Sequence, residues 1–274
     1  MIGARRALIM AGLAWLLMGT LVAPSNAGTT DGFTLGGRPC ELIEVPAQAP
    51  PVGSAPCPGV RPGAWVESDA GLCTFNFLFT GSDGNRYMGT AGHCILEDEG
   101  ETSWAPGTGP EARDGDGNRV GEFAYAVLQD PKDFALVRLD PGVKADPQMC
   151  WFGGPTGINS DNPGLDEPIL LHHFGNGIGI GTLLPARSAL ALGMPDPDHV
   201  YAEGLVTPGD SGSGIISSDG RAVGVIVTVG IHSQSIGTSG IDAGTVGITR
   251  IGPQVARAQK VLGLNLALQT APLL

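Results

Sequence analysis

Residues 208–214 read Pro208-Gly209-Asp210-Ser211-Gly212-Ser213-Gly214, so that a serine stands among three glycines and directly after an aspartate. Glycine allows a backbone with positive φ and lets the chain approach a ligand closely. The amides of Gly209 and Ser211 can therefore point into one small hollow, which is the geometry that stabilises a developing oxyanion. Ordinary turns use the same residue types. The stretch therefore predicts a catalytic serine only if a base and an orienting acid are present elsewhere.

A candidate base and a candidate acid precede this stretch. His93 lies in the segment Gly89-Thr90-Ala91-Gly92-His93-Cys94, and a histidine of near-neutral pKa can take a proton from a serine and return it. Asp133 enters an apolar strand, where a carboxylate is costly to bury unless a group such as an imidazole N–H interacts with it. Asp130 and Asp140 are nearby rivals, but each precedes a proline and is typical of a turn. We therefore expect His93, Asp133 and Ser211 to act together.

Composition favours a β-rich protein with many turns. The chain has 274 residues, 44 of them glycine, and no long helical pattern. Its formal net charge of −12 argues against nucleic acid and anionic membranes as partners, because both call for clustered Lys and Arg. We interpret the acidity as a solubility feature of a secreted, monomeric protein.

The N-terminus predicts export. Arg5 and Arg6 precede an apolar run over 7–22, and small residues follow at 25–27, as in a cleaved signal peptide covering 1–27. An uncleaved anchor is the alternative, although the run is shorter than the roughly 20 residues that span a bilayer. Export places five cysteines in an oxidising compartment, which allows two disulfides and one remaining thiol. These cysteines are Cys40, Cys57, Cys73, Cys94 and Cys150.

The chain divides into five predicted parts. Proline-rich residues 28–62 form an extended arm or a pro-segment, and a Gly/Pro/Asn/Asp-rich stretch links two halves of short strands. The parts are the signal peptide 1–27, the arm 28–62, a first barrel 63–152, a linker 153–168, and a second barrel with a C-terminal helix 169–274.

Short strands are predicted throughout both halves, followed by one helix. Pro253 in its first turn and Gly263 after its last residue suit an amphipathic helix with Val255, Ala258, Val261 and Leu262 on its apolar face. The predicted strands are 73–79, 86–90, 119–127, 134–139, 169–174, 179–184, 214–217, 222–229 and 245–251.

No metal or cofactor site is expected. The segment Asp114-Gly115-Asp116-Gly117-Asn118 lacks the glycine and the acidic residue that a calcium loop requires later, and it is interpreted as a hairpin turn. His172 and His173 are adjacent, so that in a strand they face opposite sides and cannot share an ion.

The ordered motifs Thr90-Ala91-Gly92-His93-Cys94, Asp133-Phe134-Ala135-Leu136-Val137 and Gly209-Asp210-Ser211-Gly212 resemble those of trypsin/chymotrypsin-like serine peptidases, especially the secreted bacterial members. The resemblance covers about residues 65–262. It implies an all-β fold of two six-stranded antiparallel barrels with the active site between them. It also implies that Ser211 is the nucleophile, His93 the base and then the acid, and Asp133 the orienting residue.

The resemblance further implies which residues bind substrate. Gly209 and Ser211 supply the oxyanion-hole amides, and Thr228-Val229-Gly230 forms an edge strand that pairs with the substrate backbone. Leu205 and Pro208 lie at the specificity pocket, where an apolar floor favours apolar side chains before the cleaved bond. Glu203 nearby keeps a basic preference open. Disulfides are implied between Cys73 and Cys94, and between Cys150 and either Cys40 or Cys57.

Three departures keep other functions open. Ser213 and Gly214 stand where the family usually has Gly-Pro, and Thr228 replaces a serine. No Arg-[Ile/Val]-Val-Gly-Gly start exists, so that Asp210 needs an internal partner, for which His172 or His173 is conceivable. A secreted serine endopeptidase acting on polypeptides is the leading hypothesis. The alternatives are a catalytically inactive barrel that binds a protein or cell-surface partner, and an esterase that uses the same triad.

Overall fold

The structure is a computed structural model that describes residues 57–160, 169–177, 183–229 and 245–274, together with the backbone of two short N-terminal strands. Contacts divide the chain into two units, 1–44 and 45–274. In the first unit, β1 (Thr34–Leu35) pairs antiparallel with β2 (Arg38–Pro39). All further elements, and every candidate site residue, belong to the second unit.

The first half of this unit is a nine-stranded, curled sheet. Its strands follow the order β18-β5-β6-β10-β9-β8-β3-β4, and β7 pairs with β9 beside this path. Large aromatic side chains fill its interior, among them Phe75, Phe77, Phe123 and Phe134, all with no exposed area. The strands are β3 (Trp65–Ser68), β4 (Gly71–Thr74), β5 (Leu78–Gly81), β6 (Arg86–Thr90), β7 (Gly100–Ser103), β8 (Glu111–Arg113), β9 (Arg119–Gln129), β10 (Lys132–Leu139) and β18 (Leu266–Leu268).

The second half is a closed six-stranded barrel. Antiparallel pairing runs from β12 through β13, β14, β17, β16 and β15 and returns to β12, while the short β11 adds to β16 in parallel. Its core uses small aliphatic residues rather than aromatic ones, as at Ala189, Ala202 and Val246. The strands are β11 (Gly157–Ile158), β12 (Leu170–Phe174), β13 (Ala186–Asp196), β14 (His199–Gly204), β15 (Gly214–Ser217), β16 (Arg221–Val229) and β17 (Thr245–Arg250).

The C-terminal segment returns to the first half. Helix α1 (Ile251–Leu262) buries Ile251, Val255 and Ala258, and ends where Gly263 takes the left-handed conformation with φ 67°. The chain then adds β18 to β5 in the first sheet. The C-terminal segment 251–274 therefore connects the end of the second half to the first sheet.

The expected all-β fold with a C-terminal helix is confirmed. Of the two expected six-stranded barrels, the second closes, and the first half is a curled sheet of nine strands. Strands β6 and β15 have the predicted bounds, five others differ by one or two residues at an end, and the predicted strand 73–79 is divided between β4 and β5. The long hairpin of β13 and β14 was not predicted, because Gly193 and Pro195 interrupt its apolar alternation. Val261 is 40% exposed rather than part of the buried face of α1. Most of the predicted strand 179–184 lies outside the described residues, and the boundaries of the five predicted parts stay predictions.

Candidate active site

His93 lies just beyond the end of β6, in a single 3₁₀ turn formed by Gly92–Cys94. The turn fits because Gly92 has no side chain. A β-carbon at that position would overlap the Val127 carbonyl oxygen and lie 3.1 Å from a carboxylate oxygen of Asp133. The backbone of the turn is thus pressed against β9, and the His93 side chain is presented at the edge of the sheet.

His93 and Asp133 are joined by two hydrogen bonds. The Nδ1 atom of His93 lies 2.6 Å from one Asp133 carboxylate oxygen, and the His93 backbone N–H donates to the other oxygen at 3.0 Å. Burial alone lowers the pKa of His93, but the hydrogen bond to Asp133 and its negative charge outweigh that effect and raise the pKa above 6.5. The Asp133 side chain is 10% exposed and that of His93 31%, so the imidazole remains open to solvent on one side.

The two rival aspartates have other surroundings. Asp140 pairs with Arg119 at 2.8 Å on the surface. Asp130 precedes the cis peptide bond to Pro131, between β9 and β10. Asp133 is therefore the aspartate that the fold brings to His93.

A disulfide lies beside this pair. Cys73 at the end of β4 is bonded to Cys94 directly after His93, and both sulfur atoms are within 4.8 Å of a ring nitrogen of His93. This Cys-His-Cys group has the spacing of metal ligands, but its sulfurs are used in the disulfide. The disulfide bond ties the His93 turn to β4. Strand β4 also contacts residues 208–214, which are called the Ser211 loop below.

The Ser211 loop adopts two positive-φ conformations that only glycine takes readily. Gly209 has φ 101° and Gly212 has φ 87°. The carbonyl of Ser211 accepts a hydrogen bond from the Thr74 amide at 2.8 Å, which places the loop against the first sheet. Among the described residues, the Ser211 hydroxyl makes no hydrogen bond to His93, and the amides of Gly209 and Ser211 donate to no protein acceptor.

Asp210 has an arginine partner that the sequence reading missed. Arg187 on β13 contacts both carboxylate oxygens, at 2.6 and 2.5 Å, and the pair is almost fully buried. The carboxylate also accepts the amides of Gly177 and Thr207 at 2.8 and 2.7 Å. The suggestion of His172 or His173 is therefore wrong. Arg187 was overlooked because the strand that carries it was not predicted.

The two histidines of β12 do point to opposite faces. His172 is half-buried, and its Nδ1 atom lies 2.8 Å from the Ser188 hydroxyl. His173 is 1% exposed, beside Arg187 and the Leu205 backbone. Burial, and then the Arg187 charge, lower the pKa of His173 to about 3, so it is a neutral core residue at physiological pH.

The departure at Gly214 has a structural explanation, whereas the structure does not explain the serine at 213. A β-carbon on Gly214 would lie 2.8 Å from the Phe77 ring, so the aromatic core of the first sheet requires glycine there. Ser213 is fully buried, and its hydroxyl has no hydrogen-bond partner among the described residues. Its amide donates to the Asp210 carbonyl at 2.9 Å, which closes the turn around Ser211.

The predicted substrate-binding residues lie around this loop. Leu205 is 39% exposed, Pro208 is exposed, and Val206 between them is buried. Thr228 and Val229 end β16, where they pair with β17, whereas the pairing with β15 extends no further than Val225. Gly230 lies outside the described residues.

Two further polar residues of the first half contact the Ser211 loop, one at the end of β4 and one between β4 and β5. Thr74 and Asn76 are fully buried and bind its backbone carbonyls. Polar residues at buried positions of the aromatic segment Cys73–Phe79 are the sequence signal that identifies them. Their partners lie more than 130 residues away, so the signal alone did not reveal what they bind.

Cys57 and Cys150 form a second disulfide, which resolves the choice between Cys40 and Cys57 as the partner of Cys150. Two disulfides suggest a location outside the cytoplasm, since such bonds persist in oxidising compartments. Within the described residues, no helix combines the length and the apolar character needed to cross a bilayer.

Comparison with solved structures supports the fold. The crystal structure of a Nocardiopsis protease (NAPase) matches 76% of this chain and 98% of its own, with a TM-score of 0.50 and 18% sequence identity. The chain has the fold of bacterial chymotrypsin-type proteases. The active form of the Rv3671c protease from M. tuberculosis matches 84% of this chain and 96% of its own, at 17% identity and a TM-score of 0.47. The α-lytic protease homolog N4 matches 75% and 97%, at 19% identity and a TM-score of 0.46.

Sequence comparisons add no assignment: no protein-family model matches the chain, and no curated protein does so.

Proposed function

We propose that this chain is a secreted serine endopeptidase that cleaves polypeptides through an acyl-enzyme. Ser211 is the nucleophile, His93 the general base and then the general acid, and Asp133 the residue that orients and stabilises the imidazole. The observation that carries the proposal is the doubly hydrogen-bonded pair of His93 and Asp133, with the glycine-rich Ser211 loop pinned to the same sheet through Thr74.

The proposed reaction proceeds in two halves. Ser211 Oγ attacks the peptide carbonyl while its proton passes to Nε2 of His93, and the resulting oxyanion is bound by the amides of Gly209 and Ser211. Protonated His93 then donates its proton to the departing amine, which leaves an ester on Ser211. Water enters, gives a proton to His93 and attacks the ester, after which Ser211 recovers the proton and the acid product leaves.

Specificity for apolar residues is supported by the surroundings of Leu205. Its carbonyl oxygen, an acceptor that a cationic side chain would need, already receives a hydrogen bond from Arg187 at 3.2 Å. The Leu205 side chain is exposed and offers apolar surface, whose burial is worth about 25 cal/mol per Å². Glu203 is exposed on β14, and a preference for basic residues through it is the competing outcome.

Two features that favoured an inactive barrel now have structural explanations. Asp210 is neutralised by Arg187 without a new N-terminus, and Gly214 is required by the Phe77 ring. Neither feature is therefore evidence against a catalytically competent Ser211 loop. We therefore rank the inactive, partner-binding barrel and the esterase below the endopeptidase.

The proposal is tested with purified protein and an unfolded polypeptide substrate. Mass spectrometry of the products identifies each cleaved bond, and a matched series of peptide substrates compares leucine, phenylalanine, lysine and glutamate before the bond. We expect cleavage after apolar residues by the parent and none by Ser211→Ala. Hydrolysis of small esters without peptide cleavage favours the esterase, and a folded parent inert toward both favours the partner-binding barrel.

The remaining expectations belong to the same proposal. The substrate is a polypeptide, the protein works as a monomer outside the cell, and neither metal nor cofactor takes part in the mechanism above. Gel filtration of the purified protein measures the oligomeric state, and hydrolysis in the presence of a chelator tests the mechanism's independence of metal ions.

A further inference from the structure

We infer that Thr74 and Asn76 are positioning residues, which hold the Ser211 loop in the shape that directs its amides toward an oxyanion. The inference rests on the proposed peptidase function for its kinetic consequences. The structural part of the inference does not depend on that function. It states that two residues of the first half, Thr74 and Asn76, maintain the geometry of the Ser211 loop together with the loop's own hydrogen bonds.

Thr74 holds two peptide groups at once. Its amide donates to the Ser211 carbonyl at 2.8 Å, and its hydroxyl donates to the Gly209 carbonyl at the same distance. The hydroxyl oxygen also accepts the Asn176 amide at 3.3 Å. All of these bonds form where Thr74 has no exposed area, so water does not compete for them.

The two clamped peptide groups flank the amide of Ser211. Because a peptide unit is planar, fixing a carbonyl also fixes the orientation of the amide that follows it. The hydroxyl of Thr74 holds the unit between Gly209 and Asp210, and its amide holds the unit between Ser211 and Gly212. The unit that carries the Ser211 N–H lies between these two. Its direction is therefore constrained from both sides by Thr74, in addition to the Ser213 amide, which donates to the Asp210 carbonyl of that unit at 2.9 Å.

Asn76 holds the next peptide group along the loop. Its Nδ2 atom donates to the Gly212 carbonyl at 3.1 Å, and its Oδ1 atom accepts the Phe77 amide at 2.7 Å. The second bond fixes which end of the side-chain amide faces the loop. Gly89 on the neighbouring strand makes room, because a β-carbon there would overlap the Asn76 side chain.

Kinetic measurement on Thr74 variants tests the inference. Thr74→Val keeps the shape and the backbone bond but removes the hydroxyl, whereas Thr74→Ser keeps the hydroxyl. Loss of a true oxyanion donor costs 10²–10³ in kcat, so we expect about a tenfold lower kcat for the loosened loop, with KM changed less than about twofold. Thr74→Ser restores kcat, and Asn76→Ala lowers it less than Thr74→Val.

Thr249→Val is the matched control. The Thr249 hydroxyl is also fully buried and also spans the two halves, donating to the Pro131 carbonyl at 3.1 Å, but it does not contact the Ser211 loop. We expect Thr249→Val to lose a similar amount of thermal stability and to keep its kcat. Equal kcat values for Thr74→Val and the parent, or an equal loss in Thr249→Val, would overturn the inference.

Hydrogen exchange separates this inference from the proposed function. In a Ser211→Ala background, the amides of 209–214 are expected to exchange faster when Thr74 is valine, and to stay unchanged when Thr249 is valine. If the parent proves inactive while this difference appears, the peptidase proposal fails and the positioning role stands. If the amides of 209–214 exchange at the same rate whether residue 74 is threonine or valine, the positioning role is wrong even for an active enzyme.

Discussion

His93 and His173 have the same side chain in opposite surroundings. His93 has a carboxylate on its Nδ1 side and solvent access to its ring, and Asp133 raises its pKa above the ordinary value. His173 is enclosed beside a cation, and burial lowers its pKa to about 3. Both sit near an aspartate, but Asp210 is already paired with Arg187 and is not available to His173.

The comparison shows what makes a buried histidine useful as a base. A proton acceptor needs an anion that stabilises its charged form, and an open side through which the proton arrives. Desolvation acts on both histidines, so it does not distinguish them. The carboxylate that faces His93 distinguishes them. Three predictions test this difference between the two histidines and their neighbouring aspartates.

The largest effect is expected for Asp133→Asn. Loss of the carboxylate removes the group that orients the imidazole and stabilises its charged form, so kcat falls by about 10⁴. Because Asp133 raises the pKa of His93, the variant's activity also rises at lower pH than that of the parent. A pH profile of kcat/KM measures both changes. A variant with parental activity, or one whose kcat/KM rises only at higher pH than that of the parent, would show that Asp133 does not act on His93.

Breaking the other carboxylate pair is expected to affect stability. Arg187→Met leaves Asp210 charged and buried, which costs about 3–5 kcal/mol in the free energy of unfolding. Arg119→Met, which breaks the exposed pair with Asp140, costs about 0–1 kcal/mol and serves as the control. Denaturant unfolding of the three proteins measures these values. Equal, small losses would contradict a structural role for the buried pair.

At neutral pH the smallest effect is expected for His173→Gln, because this histidine affects stability only in acid. Between pH 6.5 and about 3 the unfolded chain binds a proton at this histidine and the folded chain does not, so the parent loses stability as pH falls through that range. His173→Gln removes this loss, whereas His172→Gln at the half-buried neighbour removes less of it. Thermal unfolding across that pH range tests the prediction. Parallel curves for parent and His173→Gln would refute it.

Local sequence patterns predicted the elements whose signals are local. Gly263 ends α1, the alternating and apolar runs gave β10 and β15, and small residues before His93 marked the turn that carries it. The fold class followed from these patterns together with the family resemblance that three ordered motifs carry. Each element, and each motif taken singly, consists of residues close together in the chain.

What escaped prediction depends on distant contacts. Arg187 is identified as a buried counter-ion only once β13 is placed beside the Asp210 loop. Thr74 and Asn76 read as two polar residues in a strand until the loop 135 or more residues away reaches them. The sequence signal that can be used is a cationic or amide side chain at an inward position of an alternating strand. It indicates that a buried partner exists without naming it.

In the proposed mechanism the environment of His93 activates Ser211, and labelling by a fluorophosphonate probe measures that activation. Mass spectrometry locates the adduct in the parent, in His93→Ala and in Ser211→Ala. We expect a single adduct on Ser211 of the parent and none in either variant. A folded parent that remains unlabelled, or an adduct on Ser211 that forms equally fast without His93, would contradict it.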